Sequence, residues 1–144
     1  MPVIVHIDMN SFFASCEVKK DPTLKGKKII IGGLSNRGIV SAASYEAKNE
    51  GIYTTMPIYM AKEKCPDAIF LPVDHEYYCN VSNEIFDWLK KKYKIVEPAS
   101  IDEAYIDMTD VNLTNNPYEY FVNLQKELYE KLHIPCSIGV SYNK

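Results

Sequence analysis

The sequence predicts an α+β fold: an antiparallel sheet with helices on one face, and a small second lobe inserted into it. Apolar side chains recur at helical spacing in two long stretches, residues 75–93 and 117–133. Short apolar runs of strand type flank these helices, at residues 3–8, 95–100, 103–108 and 136–141. Together the segments follow the order β-α-β-β-α-β, which is the ferredoxin-like arrangement.

The first strand, residues 3–8, lies in a nearly continuous apolar run and ends in Asp8. Such runs are typical of central strands that are buried on both faces. A carboxylate in such a strand is costly unless it is paired, hydrogen-bonded or bound to a metal ion, so Asp8 is a candidate site residue. Asn10-Ser11 then favours a helix start, with a helix over residues 12–19. At least one of the two phenylalanines that open this helix is expected in the core.

Residues 20–74 read as a separate small lobe. Its predicted strands and helices are short: strands at 28–33, 37–43 and 68–71, and helices at 45–49 and 56–65. Ser44 is expected to cap the first of these helices and Gly51 to end it. On that helix Tyr45 and Lys48 share a face, and a phenol beside an ammonium could hold a phosphate. The spacing alone favours an ordinary amphipathic helix.

Two long helices supply the core of the main unit. The inward side chains expected on the first are aromatic or aliphatic: Tyr78, Val81, Ile85, Phe86, Trp88 and Leu89. The corresponding set on the second is Tyr120, Phe121, Leu124, Leu128 and Leu132. A polar loop is expected over residues 109–116.

Asp102 and Glu103 lie between two predicted strands, at or next to the turn that joins them. Taken alone, the pair fits a solvated acidic turn. In the ferredoxin-like order, however, the third strand lies beside the first and runs antiparallel to it, so the turn meets the end that carries Asp8. Three clustered carboxylates repel one another, and divalent cations relieve that repulsion. The arrangement suits two metal ions and phosphoryl or nucleotidyl transfer.

Composition excludes several classes of protein. The 144 residues are 47% hydrophobic, which supports a packed core, and no apolar run approaches the roughly 20 residues of a membrane span. The N-terminal residues lack the basic region of a secretory signal. Four scattered cysteines and three dispersed histidines predict neither a disulfide framework nor a metal site built from Cys or His, and favour the cytoplasm. A net charge of −3 argues against a self-sufficient nucleic-acid binder.

Several motifs in order closely resemble the Y-family translesion DNA polymerases, most of all the bacterial DNA polymerase IV and UmuC-like branch. The resemblance covers the whole chain. It is carried by residues 6–15 (HIDMNSFFAS), 37–40 (RGIV), 43–48 (ASYEAK), 71–72 (LP), 100–105 (SIDEAY) and 137–144 (SIGVSYNK).

The resemblance implies a metal site. Asp8, Asp102 and Glu103 correspond to the catalytic carboxylates of the polymerase palm, which bind two Mg²⁺ ions with the Met9 carbonyl as a further ligand. Mn²⁺ is expected to substitute. The reaction implied is transfer of a dNMP to a primer 3′-OH.

The resemblance also implies a nucleotide site, whose residues are Phe12, Phe13, Ser41, Ala42, Tyr45 and Lys48. Tyr45 and Lys48 are expected to hold the incoming triphosphate together with the backbone at Phe12 and Phe13. Phe13 corresponds to the steric gate that excludes a ribose 2′-OH. Ser41 and Ala42 are small residues that leave room over the nascent base pair. Lys48 departs from the arginine common in the family and lacks its bidentate fork.

The implied domains are an incomplete palm (1–10 and 75–144) and fingers (11–74), with the thumb and little finger absent. We therefore expect a piece of a longer, low-fidelity polymerase of DNA repair and the SOS response, inactive by itself. Its expected partners are primer-template DNA, dNTP and, through missing parts, a sliding clamp. Two alternatives stay open: a nucleotidyl cyclase-like palm enzyme and a non-catalytic interaction module.

Overall fold

The computed structural model describes residues 2–35, 37–111 and 116–141. Part of the predicted polar loop (112–115) and the end of the last motif (142–144) lie outside the described residues. The strands and helices are, in chain order, β1 (Ile4–Met9), α1 (Phe12–Lys20), β2 (Ile29–Gly32), β3 (Val40–Ala43), α2 (Tyr45–Asn49), α3 (Ile58–Lys64), β4 (Ile69–Leu71), α4 (His75–Lys92), β5 (Val96–Ser100), β6 (Glu103–Asp107), α5 (Pro117–Leu132) and β7 (Cys136–Ser141). A short 3₁₀ helix, Pro22–Leu24, follows α1. In the part of the chain that the structure describes, no helix has the length and apolar character needed to cross a membrane.

The chain divides into two compact units. The first combines the residues up to Asn10 with those from Cys79 onward, and the second is Ser11–Tyr78. The first turn of α4 groups with the second unit, where the Tyr78 hydroxyl lies 2.6 Å from a carboxylate oxygen of Glu17. The assignment of palm to 1–10 and 75–144 and of fingers to 11–74 stays a prediction.

The first unit is built on a four-stranded sheet of order β5-β6-β1-β7, in which every neighbouring pair is antiparallel. This is the predicted ferredoxin-like order, with the third strand of the motif (β6) between the first (β1) and the second (β5). The mixed α+β fold predicted from the sequence is confirmed. The order matters for the site because β6 begins where β1 ends.

Burial on β1 alternates along the strand, which corrects the prediction that both faces are buried. Val5, Ile7 and Met9 are buried, whereas His6 and Asp8 on the opposite face are only partly covered. The reason is that β1 pairs antiparallel on both sides, and an antiparallel sheet can leave one face open to solvent. Asp8 therefore lies on the partly open face.

The buried stripes of both long helices agree with the apolar periodicity. Tyr78, Val81, Ile85, Phe86 and Leu89 are buried on α4, and Phe121, Leu124, Leu128 and Leu132 on α5. Trp88 and Tyr120 are only partly buried. The hydroxyl of Tyr120 lies 2.8 Å from that of Tyr93, so the two phenols form a hydrogen bond with each other at the edge of the core.

The second unit contains a three-stranded sheet of order β3-β2-β4. Its central strand, β2, is buried throughout, antiparallel to β3 and parallel to β4. The predicted elements are present, but β3 begins at Val40 rather than residue 37. Ile39 instead makes an isolated bridge to Pro57, and its carbonyl lies so close to Gly32 that a Cβ there would be 2.2 Å away. A residue larger than glycine would push the two chains apart.

The start of α1 differs from the predicted cap. Ser11 has a left-handed backbone, with φ of 41°, and within the described residues its side chain makes no capping hydrogen bond. A cap residue normally has an extended backbone so that its side chain can reach the N–H groups of the first turn. The left-handed Ser11 directs its hydroxyl elsewhere, while its carbonyl still accepts the Ser15 N–H at 2.8 Å.

Candidate active site

Strand pairing brings the three predicted carboxylates together in the first unit. Asp8 on β1 lies directly opposite Glu103, the first residue of β6, and the Met9 N–H donates to the Asp102 carbonyl at 2.9 Å. One carboxylate oxygen from each of Asp8, Asp102 and Glu103 lies within 4.8 Å of the others. All three residues are partly buried, so they are open enough to bind and covered enough to interact electrostatically.

The tight turn between β5 and β6 presents Asp102. Residues 101–102 form the turn, and the pairing of the two strands shifts register between Pro98 and Ser100. The Ser82 hydroxyl on α4 donates to the Ile101 carbonyl at 2.5 Å, and thereby ties the turn to α4. The acidic turn predicted from the sequence is therefore fixed by a side-chain hydrogen bond, unlike a free solvated loop.

The Asp8 carboxyl group has a raised pKa. Burial raises the pKa of Asp8 above its ordinary value, the negative charges of Asp102 and Glu103 raise it further, and His6 lowers it. A bound cation would offset both the burial and the repulsion. The donors are all carboxylate oxygens, which are the ligands that Mg²⁺ and Mn²⁺ prefer, so the residues present fit a divalent cation.

Two neighbours of the carboxylates were missed by sequence reasoning. The Ser100 hydroxyl donates to Asp102 Oδ1 at 2.9 Å, and His6 Nε2 lies 3.0 Å from Glu103 Oε2. A usable signal existed, because Ser100 stands two residues before Asp102, and His6 stands two residues before Asp8 on the same face of its strand.

Met9 is the last residue of β1, and only its main chain faces the carboxylates. Its side chain is buried, and its N–H donates to the main-chain carbonyl of Asp102. The next residue, Asn10, makes hydrogen bonds at the start of β7. Its N–H donates to the carbonyl of Pro135, the residue before the strand, at 3.0 Å, and its Oδ1 accepts the Ser137 hydroxyl at 2.7 Å. The end of β1 is therefore held between β6 and β7, which restricts the backbone that carries Asp8.

The predicted nucleotide-site residues all lie in the second unit. Phe12 is buried, as expected for at least one of the two rings. Phe13 is partly buried and stacks on Tyr78, with ring centroids 4.4 Å apart and planes 19° apart. Phe13 and Ala42 pack against the same small core cluster of Ala14, Ile29 and Ile31. The structure thus brings Phe13 and Ala42 to one region of this unit.

The polar members of the set are exposed. Tyr45 and Lys48 lie on α2, where Tyr45 is 67% exposed, and Ser41 is exposed on β3. The ammonium of Lys48 lies 3.5 Å from the Ser11 hydroxyl, so this side chain reaches the residue that precedes α1. A phenol that exposed fills no core position, so its hydroxyl is open to solvent.

Comparison with known proteins decides the family. The impB/mucB/samB family (IMS) matches residues 7–144, which is nearly the whole chain. The chain belongs to the impB/mucB/samB family. Among curated members, it is 44% identical over 144 residues to DNA polymerase IV 1 of Bacillus subtilis and 43% identical to DNA polymerase IV of Bacillus velezensis. Each alignment covers 99% of this chain.

Solved structures of the family agree. The fold matches a Y-family DNA polymerase chimera of Dbh and Dpo4 with a TM-score of 0.89 and 35% identity, over 99% of this chain and 43% of that one. DinB from Sulfolobus solfataricus matches with a TM-score of 0.87 and 36% identity, over 99% and 42%. The resemblance to Y-family polymerases that the motifs predicted is confirmed.

This chain is much shorter than its relatives. It spans 35% of the length of the two Bacillus polymerases and about two fifths of the solved structures. The likeness therefore concerns one part of those proteins, the part that in this chain carries the acidic cluster.

Proposed function

We propose that this chain is the catalytic palm and fingers part of a DNA-directed DNA polymerase that acts in translesion synthesis and DNA repair. One observation carries the proposal: Asp8, Asp102 and Glu103 converge where β1 ends and β6 begins, within 4.8 Å, in a chain of the impB/mucB/samB family. Residues 1–10 and 75–144 are proposed as palm and 11–74 as fingers. The reaction is attack of a primer 3′-OH on the α-phosphorus of a dNTP, which forms the new O–P bond and releases pyrophosphate.

The proposed roles of the acidic residues are those that the resemblance to the polymerase palm implies, and the convergence of the three carboxylates supports them. Asp8 and Asp102 would hold two cations, with the Met9 carbonyl as a further ligand, and Glu103 would complete the site on the side of the primer 3′-OH. Bound Mg²⁺, or Mn²⁺ in its place, supplies positive charge to the attacking and leaving oxygens. The tie from Ser82 to the turn and the pairing of β1 with β6 keep the three carboxylates in place before substrate arrives.

The second unit is proposed to bind the nucleotide. Lys48 offers a point charge and Tyr45 a hydroxyl to the triphosphate, together with the backbone at Phe12 and Phe13. Phe13 is the proposed steric gate, and Ser41 and Ala42 leave room over the nascent base pair. The exposure of Tyr45 and Lys48 supports this proposal, because both polar ends are available to a ligand.

The proposed partners are primer-template DNA and dNTP, in the cytoplasm, with a sliding clamp contacting other parts of the longer protein. Related structures of Dbh DNA polymerase include an insertion ternary complex and a post-insertion binary complex. The net charge of −3 supports the view that other parts of such a protein provide most of the grip on DNA.

Calorimetric titration tests the proposal. The chain is titrated with dNTP in the presence of Mn²⁺ or Mg²⁺, beside the double variant Asp102→Asn, Glu103→Gln. We expect metal-dependent binding that the variant loses, because it removes two negative charges from the cluster. A matched control, Asp87→Asn with Glu97→Gln, removes two exposed carboxylates of the same unit and is expected to leave binding unchanged.

Activity is then measured on the intact protein that contains this chain. Asp102→Asn is expected to reduce primer extension by at least about 100-fold while the circular dichroism spectrum stays that of wild type. Unchanged extension would refute the assignment of Asp102. Conversion of a nucleoside triphosphate without any template would instead favour the cyclase class.

A further inference from the structure

His6 lies at the edge of the acidic cluster and contacts one of its members. It stands two residues before Asp8, on the same partly open face of β1. Its Nε2 atom is 3.0 Å from Glu103 Oε2, and the two side chains are 35% and 40% exposed. This contact joins residues 97 positions apart in the sequence.

The ring of His6 is itself held in place. Tyr105 lies directly opposite His6 in the register of β1 and β6, and the two ring centroids are 4.9 Å apart with planes tilted by 37°. Cross-strand aromatic pairs of this kind stabilise one side-chain conformation. Tyr105 therefore supports the ring from one side while Glu103 accepts from its Nε2 edge.

The chemistry of the pair assigns the direction of the hydrogen bond. A carboxylate that binds a cation must be ionised, and it can then only accept. His6 Nε2 must therefore donate. A neutral imidazole with its proton on Nε2 suffices for this, so the contact needs no positive charge that would repel a bound cation.

We propose that His6 is a positioning residue, which holds the Glu103 carboxylate at the acidic cluster and thereby increases the affinity of the cluster for a divalent cation. This inference rests on the proposed function, because it requires that the cluster binds metal. A free glutamate samples many rotamers, whereas one held by a hydrogen bond loses less conformational freedom when it ligates. Partners that orient metal ligands in this way typically change metal affinity about 10- to 100-fold.

Two substitutions separate the hydrogen bond from the packing of the ring. His6→Phe keeps an aromatic ring against Tyr105 and removes the donor. His6→Gln removes the ring and places an amide N–H₂ at a similar reach to Nε2. A packing role alone would favour the phenylalanine variant, and a positioning role favours the glutamine variant.

The control is Lys92→Met, which keeps an unbranched apolar side chain and removes the donor. Lys92 Nζ lies 3.1 Å from Glu127 Oε1, and these side chains are 34% and 41% exposed, which matches the exposure of the His6–Glu103 pair. The substitution breaks one exposed polar contact in the same unit without touching the cluster. It therefore measures what the loss of such a contact does by itself.

The experiment is titration of the chain with Mn²⁺ alone, with the dissociation constant obtained by electron paramagnetic resonance and the fold checked by circular dichroism. We expect the constant of His6→Phe to rise at least about tenfold, that of His6→Gln to stay within about threefold of wild type, and that of Lys92→Met to be unchanged. A wild-type constant in His6→Phe would overturn the positioning role while the proposed metal site stands. No Mn²⁺ binding by wild type itself would overturn both.

Discussion

Asp102 and Glu103 each accept a hydrogen bond from a side chain outside the carboxylate cluster. Ser100 donates to Asp102, and His6 contacts Glu103, so two of the three acids have an oriented carboxylate. The third acid, Asp8, is distinguished by its pKa, which burial and the negative charges of Asp102 and Glu103 raise. At the scale of single residues, the proposed metal site would combine two positioned carboxylates with a third whose charge a bound cation would offset.

Phe13 is the residue on which sugar selection is proposed to depend. In the intact protein, Phe13→Ala is expected to raise the ratio of rNTP to dNTP incorporation by roughly tenfold or more, because the ring no longer fills the space of a 2′-OH. Primer extension with each nucleotide measures this ratio. A general loss of folded protein, which the lost stacking on Tyr78 could cause, cancels in the ratio. An unchanged ratio would remove Phe13 from the gate role.

Within the second unit, side-chain contacts join α1 to the first turn of α4. Glu17 on α1 is buried and accepts from the Tyr78 hydroxyl of α4, and Lys20 lies 3.5 Å from the same carboxyl group. A buried carboxylate without partners would be costly, so these contacts explain how Glu17 is accommodated. The Tyr78 ring held in this way is the surface on which Phe13 stacks.

Ser44 joins α2 to β2. Its buried hydroxyl accepts the Ala47 N–H at 3.4 Å and the Ile29 N–H at 2.9 Å, and it donates to the Lys27 carbonyl at 3.1 Å. Ser44→Ala removes the helix cap and leaves a buried strand N–H unpaired. We expect the free energy of unfolding to fall by about 2–3 kcal/mol, measured by urea denaturation followed by circular dichroism.

Ser41→Ala, at an exposed position three residues earlier, serves as the control for Ser44→Ala. It is expected to change the free energy of unfolding by no more than about 0.5 kcal/mol. Equal effects of the two substitutions would show that the Ser44 hydroxyl does not carry the junction between α2 and β2.

At the scale of the whole molecule, the cysteines report on the cores of both units. Cys16 and Cys65 are buried in the second unit and Cys136 in the first, whereas Cys79 on α4 is exposed. Burial raises the pKa of Cys16 to about 12 and that of Cys136 to about 11, and it also raises the pKa of Cys65. The thiolate is the reactive form. The buried thiols therefore react slowly for two reasons: reagents do not reach them, and they stay protonated.

Thiol titration of the chain with a disulfide reagent at pH 8 is therefore expected to modify one thiol rapidly in the native state and all four in denaturant. Cys79→Ser should abolish the rapid native reaction. Rapid reaction of a second thiol in the native chain would mean that one of the two cores is open.

The local patterns of the sequence predicted much of this molecule. Helical periodicity over 75–93 and 117–133 predicted the ends of α4 and α5 to within about a residue. This was possible because the apolar stripe of a helix depends only on residues in adjacent turns. The order of elements predicted the sheet and hence the meeting of Asp8 with Asp102 and Glu103. The motifs predicted the family. Each of these properties depends on residue type and short-range spacing.

Tertiary structure alone decided the rest. The one-sided burial of β1, the left-handed Ser11 and the stacking of Phe13 on Tyr78 have no local pattern. The spacing of His6 from Asp8 indicates a shared strand face, but not the contact of His6 with Glu103. These features depend on which strands pair, in which register, and on which helices cover one face of the sheet. A shift of one residue in the pairing of β1 with β6 would move His6 and Asp8 to other partners, so the register determines which side chains surround the acids.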